Sequence, residues 1–312
     1  MQSFLNSGIK QPTDRTLRDA LLSKSNLLLA DDRKLGDELE AITALLALID
    51  PPPSNRLRSL DLKAGDLSTY YFAAFSSGLS MEDSVSVYRI VKYLVRYILF
   101  ADRYYETGNS DYAVYSRQML ANAKKEAGNY LGYSLPCAIR QFTPFWQFEQ
   151  IIRKRMLRGT VFSKAEIAHH NLFKSSDARH IYAAVLEGKL PNYDNNVTTI
   201  LHYNQALQDI YDDLDDIAED LSDRMPNVFI MAASSFLPFA ELRKLDTDQA
   251  EERILDSNAS DIVMQVAEGY KRNIDAIAVP REYRFLKVLS AYYFQKISQA
   301  MQAKAIVLTH EV

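Results

Sequence analysis

Apolar residues recur three and four positions apart along most of the chain, the period of helices that bury one face. Leu17, Leu21, Leu22, Leu28 and Leu29 mark a first helix, and Leu39, Ile42, Leu45, Leu46 and Ile49 a second. Pro51-Pro52-Pro53 stops the second, because three linked prolines cannot continue a helix. A short aromatic and small-residue helix is predicted over 66–78. Ser80-Met81-Glu82-Asp83 then reads as an N-cap with acids in the first turn. It opens a long helix through Val87, Ile90, Val91, Leu94, Ile98 and Leu99 toward Glu106, with Gly108-Asn109 as its break. Further helices are predicted near 110–131, 136–158, 163–171 and 175–188. Pro191-Asn192 precedes the most regular one, about 193–223, which Pro226 ends. Three more follow, roughly 227–245, 247–277 and 281–307, with Pro280 opening the last. No repeat, low-complexity linker or alternating strand pattern interrupts them. The expectation is one all-α domain over residues 1–312 with ten or more helices, those of residues 1–50 peripheral.

Composition narrows this picture. Gly and Pro number 10 each in 312 residues, too few for a many-turned sandwich. Hydrophobic residues at 47% and charged residues at 24% exclude a disordered chain. The single cysteine, Cys137, excludes an intramolecular disulfide and a thiolate zinc site. The start lacks a basic n-region and an apolar h-region, so a cytoplasmic location is expected. The most apolar stretch, Val228 to Phe239, is shorter than the ~20 residues of a membrane span and reads as a buried helix. A net charge of −4 with no dominant basic stripe argues against nucleic acid as a partner. Tyrosine is plentiful, 19 residues, with clusters at Tyr70-Tyr71, Tyr93, Tyr97, Tyr104-Tyr105, Tyr112, Tyr115 and Tyr292-Tyr293. These serve core packing with hydroxyls reaching water, or together line a pocket.

The charge is unevenly distributed. Residues 205–224 hold eight acids and one base, net 1 − 8 = −7, so the rest of the chain sums to +3. At about 100° per residue, Asp213, Asp216 and Asp220 fall within about 40° of Asp209, and Asp212 about 60° to one side. Leu207, Ile210, Leu214, Ile217 and Leu221 occupy the arc about 80–160° away. Like charges at i,i+4 repel by a few tenths of a kcal/mol per pair. A stacked row therefore destabilises the helix unless a cation sits on it. The bland alternative is a solvated acidic face, but such faces usually interleave Lys or Arg and this one has almost none. Asp212-Asp213 with Asp216, and Asp220 one turn on, is also a metal-like spacing. Mg²⁺ takes oxygen ligands and commonly binds one or two carboxylates together with phosphate oxygens.

At these residues the chain resembles the class I isoprenoid synthase superfamily, the all-α prenyltransferases, squalene/phytoene synthases and terpene cyclases. The resemblance implies a helical bundle around a central cavity, with two Asp-rich motifs binding Mg²⁺ and a prenyl diphosphate. Asp212-Asp213-Leu214-Asp215-Asp216 is similar to the second motif, and Asp212, Asp216 and Asp220 match the i, i+4, i+8 spacing of the terpene-cyclase triad. Asp102-Arg103-Tyr104-Tyr105-Glu106 resembles the first motif, with Arg103 where a metal-facing Asp can stand. Lys174-Ser175 resembles the Lys-Thr that meets diphosphate, and Arg224 a second diphosphate-binding cation. Asn55-Arg56-Leu57-Arg58 faintly resembles the segment that binds isopentenyl diphosphate. Three departures weigh against chain elongation: no Arg-Arg pair follows Glu106, Asp209 replaces a usual Gln, and Arg103 puts a cation where a metal-facing Asp can stand.

The resemblance implies Asp102, Glu106, Asp209, Asp212, Asp213, Asp216 and Asp220 as metal ligands, with Asp102, Asp212 and Asp216 catalytic. It implies Lys174, Arg179 and Arg224 as diphosphate ligands, and aromatic rings as the wall of a carbocation cavity. The expected activity is Mg²⁺-dependent ionisation of an allylic prenyl diphosphate, in a monomer or a homodimer. Three alternatives stand beside it. One is a catalytically silent prenyl-diphosphate or lipid binder or regulatory protein, and another a helical module whose acidic stripe meets a basic partner. The third is a di-iron carboxylate bundle using Glu166-x-x-His169 and Asp177-x-x-His180. Arg153-Lys154-Arg155 with Arg158 faces either diphosphate or water.

Overall fold

The computed structural model describes residues 81–131, 142–176, 195–280 and 283–310, and among them every regular element is a helix. The helices predicted before residue 80 and over 175–188 lie outside the described residues, apart from the start of the latter, as do Asn55–Arg58, Cys137, Asp177, Arg179 and His180.

Two compact units emerge. In the first, α1 (Met81–Thr107) and α2 (Ser110–Leu131) form an antiparallel hairpin. Gly108 takes φ +70°, the left-handed conformation that ends a helix at little cost to glycine. The Asn109 side chain accepts from Asp111 N at 3.0 Å and starts α2. The predicted apolar stripe faces inward: Val87, Ile90, Val91 and Leu94 are fully buried. Toward the turn the packing becomes aromatic. Phe100 and Met119 are buried against Tyr93, Tyr97 and Tyr112, and Phe100 stacks on Tyr112 at 6.3 Å between ring centroids.

The second unit contains α3 (Phe142–Leu157), α4 (Lys164–Lys174), α5 (Asn195–Asp215), α6 (Ile217–Asp223), α7 (Val228–Ala233), α8 (Phe239–Leu242), α9 (Thr247–Asp256), α10 (Ala259–Ala276) and most of α11 (Phe285–His310). The short, wholly buried α7 packs against α4, α5, α9 and α10 and forms the centre. A reciprocal capping box of Ser163 and Glu166 starts α4. Arg155 reinforces it with a 2.6 Å bond to Glu166, while its guanidinium lies 4.8 Å over the buried Phe162 ring. These contacts, with Ser163, hold the Glu166 carboxyl down at about 2.

Three predicted helices prove to be two each. Residues 227–245 break at 234–238 between α7 and α8, and 247–277 at Ser257-Asn258. The long acidic helix bends at Asp216. Side chains from elsewhere take two carbonyls at that bend: Asn227 Nδ2 donates to Asp213 O at 2.6 Å, and Lys304 Nζ to Leu214 O at 2.7 Å. Side-chain insertion into the i→i−4 ladder is a recognised cause of a kink. Asp216 N still donates to Asp212 O and Asp220 N to Asp216 O, so Asp212, Asp216 and Asp220 keep one-turn spacing through it. Among the described residues no helix is long and apolar enough to cross a membrane.

Candidate functional site

The acidic row does not lie wholly in water. Asp213 and Asp209 are buried, Asp216 and Asp220 half-buried, and Asp212 and Asp215 exposed. This gradation follows the helical wheel, since Asp213 lies nearest the aliphatic arc and Asp212 farther from it.

The cation required by the buried acids comes from the end of α4. Lys174 Nζ reaches Asp213 Oδ1 at 2.7 Å; the Lys174 side chain is 29% exposed and that of Asp213 2%. Asp213 Oδ2 accepts from the backbone N of Val228, the first residue of α7, at 2.9 Å. Next to Lys174, Ser175 Oγ donates to Asp209 Oδ2 at 2.5 Å, and Gln205 Nε2 donates to Asp209 Oδ1 at 2.9 Å. Asn227 links the two halves of the bent helix. Its Nδ2 donates to Asp220 Oδ2 at 2.9 Å as well as to Asp213 O, and its Oδ1 accepts from Phe229 N.

One lysine does not balance four neighbouring carboxyls. Burial alone would lower the Lys174 pKa, but Asp213, Asp209 and Asp220 together hold it well above the usual lysine value. The acids carry the opposite signature. Burial raises Asp209 even though Lys174, Ser175 and Gln205 favour its charged form. Asp220 is pushed up to about 7 by burial and by the Asp213 charge. Asp212 is also raised to about 7, by desolvation on its protein side and by Asp209; its other edge stays in water, which screens it. Among the described residues, the buried part of the row thus brings more carboxyls near Lys174 than that one cation balances.

The polar layer continues one turn deeper along α4. His170 and Asn171 are i−4 to Lys174 and Ser175 and share their face. Both are fully buried, and among the described residues none of their side-chain nitrogens or oxygens has a hydrogen-bond partner. Gln208 Oε1 on α5 is likewise buried and unsatisfied. Burial, with the nearby Lys174 charge, drives His170 down to about 3, so it is neutral at physiological pH.

Among the described residues no three His, Cys, Asp or Glu side chains converge as a ready-made metal group. The donor set instead suits an ion that keeps its own waters. Asp212 has no side-chain hydrogen bond among the described residues, and Asp220 commits one oxygen to Asn227. Such edge carboxylates fit Mg²⁺, which holds several waters and uses few protein oxygens.

The other predicted residues fare differently. Asp102 and Glu106 lie on α1, in the first unit; Asp102 is half-buried, and the Glu106 side chain is outside the described residues. Arg224 is exposed and caps α6 with φ 60°, an uncommon left-handed conformation for a non-glycine residue. The basic run has structural duties: Arg153 donates to Asp223 O at 2.9 Å, and Arg155 holds Glu166. Glu166 is committed to its cap, while His169 contacts the Phe148 and Phe173 rings. Among the tyrosines, Tyr93, Tyr97 and Tyr112 pack the α1–α2 hairpin, and Lys296 lies over both Tyr211 and Tyr292.

Sequence reasoning overlooked Asn227, Gln205, His170, Asn171 and Lys304. Asn227 had a signal, an N-cap residue directly before an apolar run. Lys304 had none, since its partners lie far away in sequence. No family model, curated protein or solved structure matches the chain.

Proposed function

We propose that the second unit binds a prenyl diphosphate with Mg²⁺ and ionises it, as a class I isoprenoid synthase-like enzyme. One observation carries the reading: Lys174-Ser175 at the end of α4 meets Asp209 and Asp213 on α5. The two segments to which the resemblance gives neighbouring roles thus share one polar layer, with a cation beside several carboxylates. In this account Asp212, Asp216 and Asp220 hold Mg²⁺ on the open side of the row. Mg²⁺, when bound, supplies positive charge to the diphosphate leaving group.

Each residue then has a definite task. Lys174 is kept charged and, with its 29% exposed side chain, offers hydrogen bonds to a diphosphate oxygen. Asp213 and Ser175 orient that part of the site. Asp209 holds Ser175 and stays inside. The raised pKa values of Asp212 and Asp220 mean that cation binding displaces protons near pH 7. Arg179 and Arg224 remain further candidate ligands of the same proposal, while Asp102 and Glu106 belong to the first unit.

A second reading, binding without turnover, draws on a different observation. Both oxygens of Asp209 and of Asp213 are already engaged inside the protein. The test is diphosphate release from geranyl, farnesyl and geranylgeranyl diphosphates. Release that requires Mg²⁺ and falls at least about 100-fold in Asp212→Ala supports catalysis. Mg²⁺-dependent binding without release supports the silent binder. Neither binding nor release defeats both readings.

A further inference from the structure

The water-facing side of α3 and the two loops beside it carry an arrangement that the proposed site does not use. Ile151 and Leu157 on α3 are 56% and 42% exposed, Val161 in the α3–α4 loop 59%, and Phe236 in the α7–α8 loop 45%. The two loops are tied together, since Phe162 N donates to Ser234 Oγ at 3.0 Å. Lys154 and Arg158 stand among these apolar side chains. Both are exposed, and neither makes a side-chain hydrogen bond or ion pair among the described residues. The exposed stripe of α3 through Gln147, Ile151, Lys154 and Arg158 contains no acid. On α8 packed beside it and in the residues that follow, exposed Glu241, Arg243, Lys244 and Asp246 sum to 2 − 2 = 0, so the unpaired cations of this face are Lys154 and Arg158.

Large aliphatic and aromatic side chains held in water are unfavourable, and a cluster of them marks a contact surface. Here they come with unpaired cations on the same side, in a protein of net charge −4. Exposed apolar residues on one side of a helix and on two loops tied together, with cations between them, fit a surface that combines a shallow apolar layer with fixed negative charge. That is the chemistry of an anionic lipid bilayer, where apolar side chains enter the headgroup boundary and Lys and Arg pair with phosphates and carboxylates. We infer that this face docks the protein peripherally on anionic membranes. The inference is independent of the proposed catalytic reading.

The test is co-sedimentation of the full chain with phosphatidylcholine vesicles, with and without phosphatidylserine, at low and raised salt. Binding is expected only with phosphatidylserine and weakens as salt rises. Lys154→Gln with Arg158→Gln should weaken it about 30-fold, at about 1 kcal/mol per cation. Leu157→Ser with Val161→Ser should weaken it at least about tenfold. The charge change Arg272→Glu, at an exposed α10 position, should leave vesicle affinity nearly unchanged. Circular dichroism and thermal midpoints of the variants should match the parent, because every altered side chain is exposed.

Several results would overturn the inference. They are equal binding to both vesicle types, binding to neither, or equal loss in Arg272→Glu. Patch-dependent binding to polyglutamate or a nucleic-acid duplex without vesicle binding would assign the face to another partner. So would a dimer that Leu157→Ser with Val161→Ser dissolves in the absence of vesicle binding.

Discussion

The α1–α2 hairpin and the α4–α5 layer each hold two helices together, by opposite chemistry. The hairpin closes toward its turn on Phe100, Met119 and three tyrosines, whose contacts are apolar or stacked. The α4–α5 layer closes on Lys174, Ser175, Asp209 and Asp213, with unsatisfied His170 and Asn171 beneath. Apolar burial needs no partner of a particular charge and is insensitive to pH. A buried charged layer depends on each member and carries a desolvation cost that hydrophobic residues would avoid. A fold that needs only stability does not require such a layer, so the α4–α5 layer marks where function is to be sought in the second unit.

The largest expected effects test this contrast directly. Phe100→Ala and Asp213→Ala should each lower stability by about 3–5 kcal/mol, the first by leaving a cavity and the second by leaving Lys174 and Val228 N without their acceptor. Urea denaturation at several pH values separates them. The loss in Phe100→Ala should be constant with pH, whereas that in Asp213→Ala should shrink as pH rises through 7, because the Asp213 charge helps to raise Asp220. A constant loss in both would erase the distinction.

The next effect is the pH dependence of the native protein. Asp212 and Asp220 rise from 3.8 to about 7, so their contribution to stability is full below 3.8 and is lost as pH rises through 7. His170 falls from 6.5 to about 3, so its contribution is present above 6.5 and is lost as pH falls toward 3. The thermal midpoint should therefore drop by a few degrees from pH 6 to pH 8. Asp212→Asn with Asp220→Asn should flatten that limb. His170→Phe should make the acid limb shallower. Calorimetric scans across pH check all three.

Smaller changes sharpen the comparison. Lys304→Met removes the donor to Leu214 O and an ion pair to Glu251, and should cost about 1–2 kcal/mol. Asn171→Leu should be neutral or stabilise by about 1 kcal/mol, because it removes buried polar atoms that have no partner. A loss of 2 kcal/mol or more on Asn171→Leu would mean that a bound group satisfies them.

The sequence made the periodic parts legible. The apolar stripe of α1 and the aliphatic arc of α5 are buried as their spacing predicts, because a 3.6-residue period reports burial of a helix face directly. The breaks at Ser257-Asn258 and before Pro238 had local signals, a turn-forming pair and a proline, which the surrounding apolar periodicity outweighed. The bend at Asp216 had no local signal, since its causes are Asn227 and Lys304. The acidic row was visible as a row, and the wheel ordered Asp213 and Asp212 correctly from inside to outside. The partnership of Lys174 with Asp213 spans 39 residues, a pairing that spacing along one helix cannot reveal.

The central claim is that the row carries excess negative charge poised to exchange protons for a divalent cation. Calorimetric titration of Mg²⁺ with inorganic diphosphate at pH 7, in two buffers of different ionisation enthalpy, tests it most directly. With Asp212 and Asp220 both raised toward 7, binding should release protons beyond those that Mg²⁺ displaces from diphosphate in a protein-free titration, and Asp212→Asn with Asp220→Asn should remove that excess. Absence of Mg²⁺-dependent binding, or no proton release beyond the protein-free control, would contradict the account.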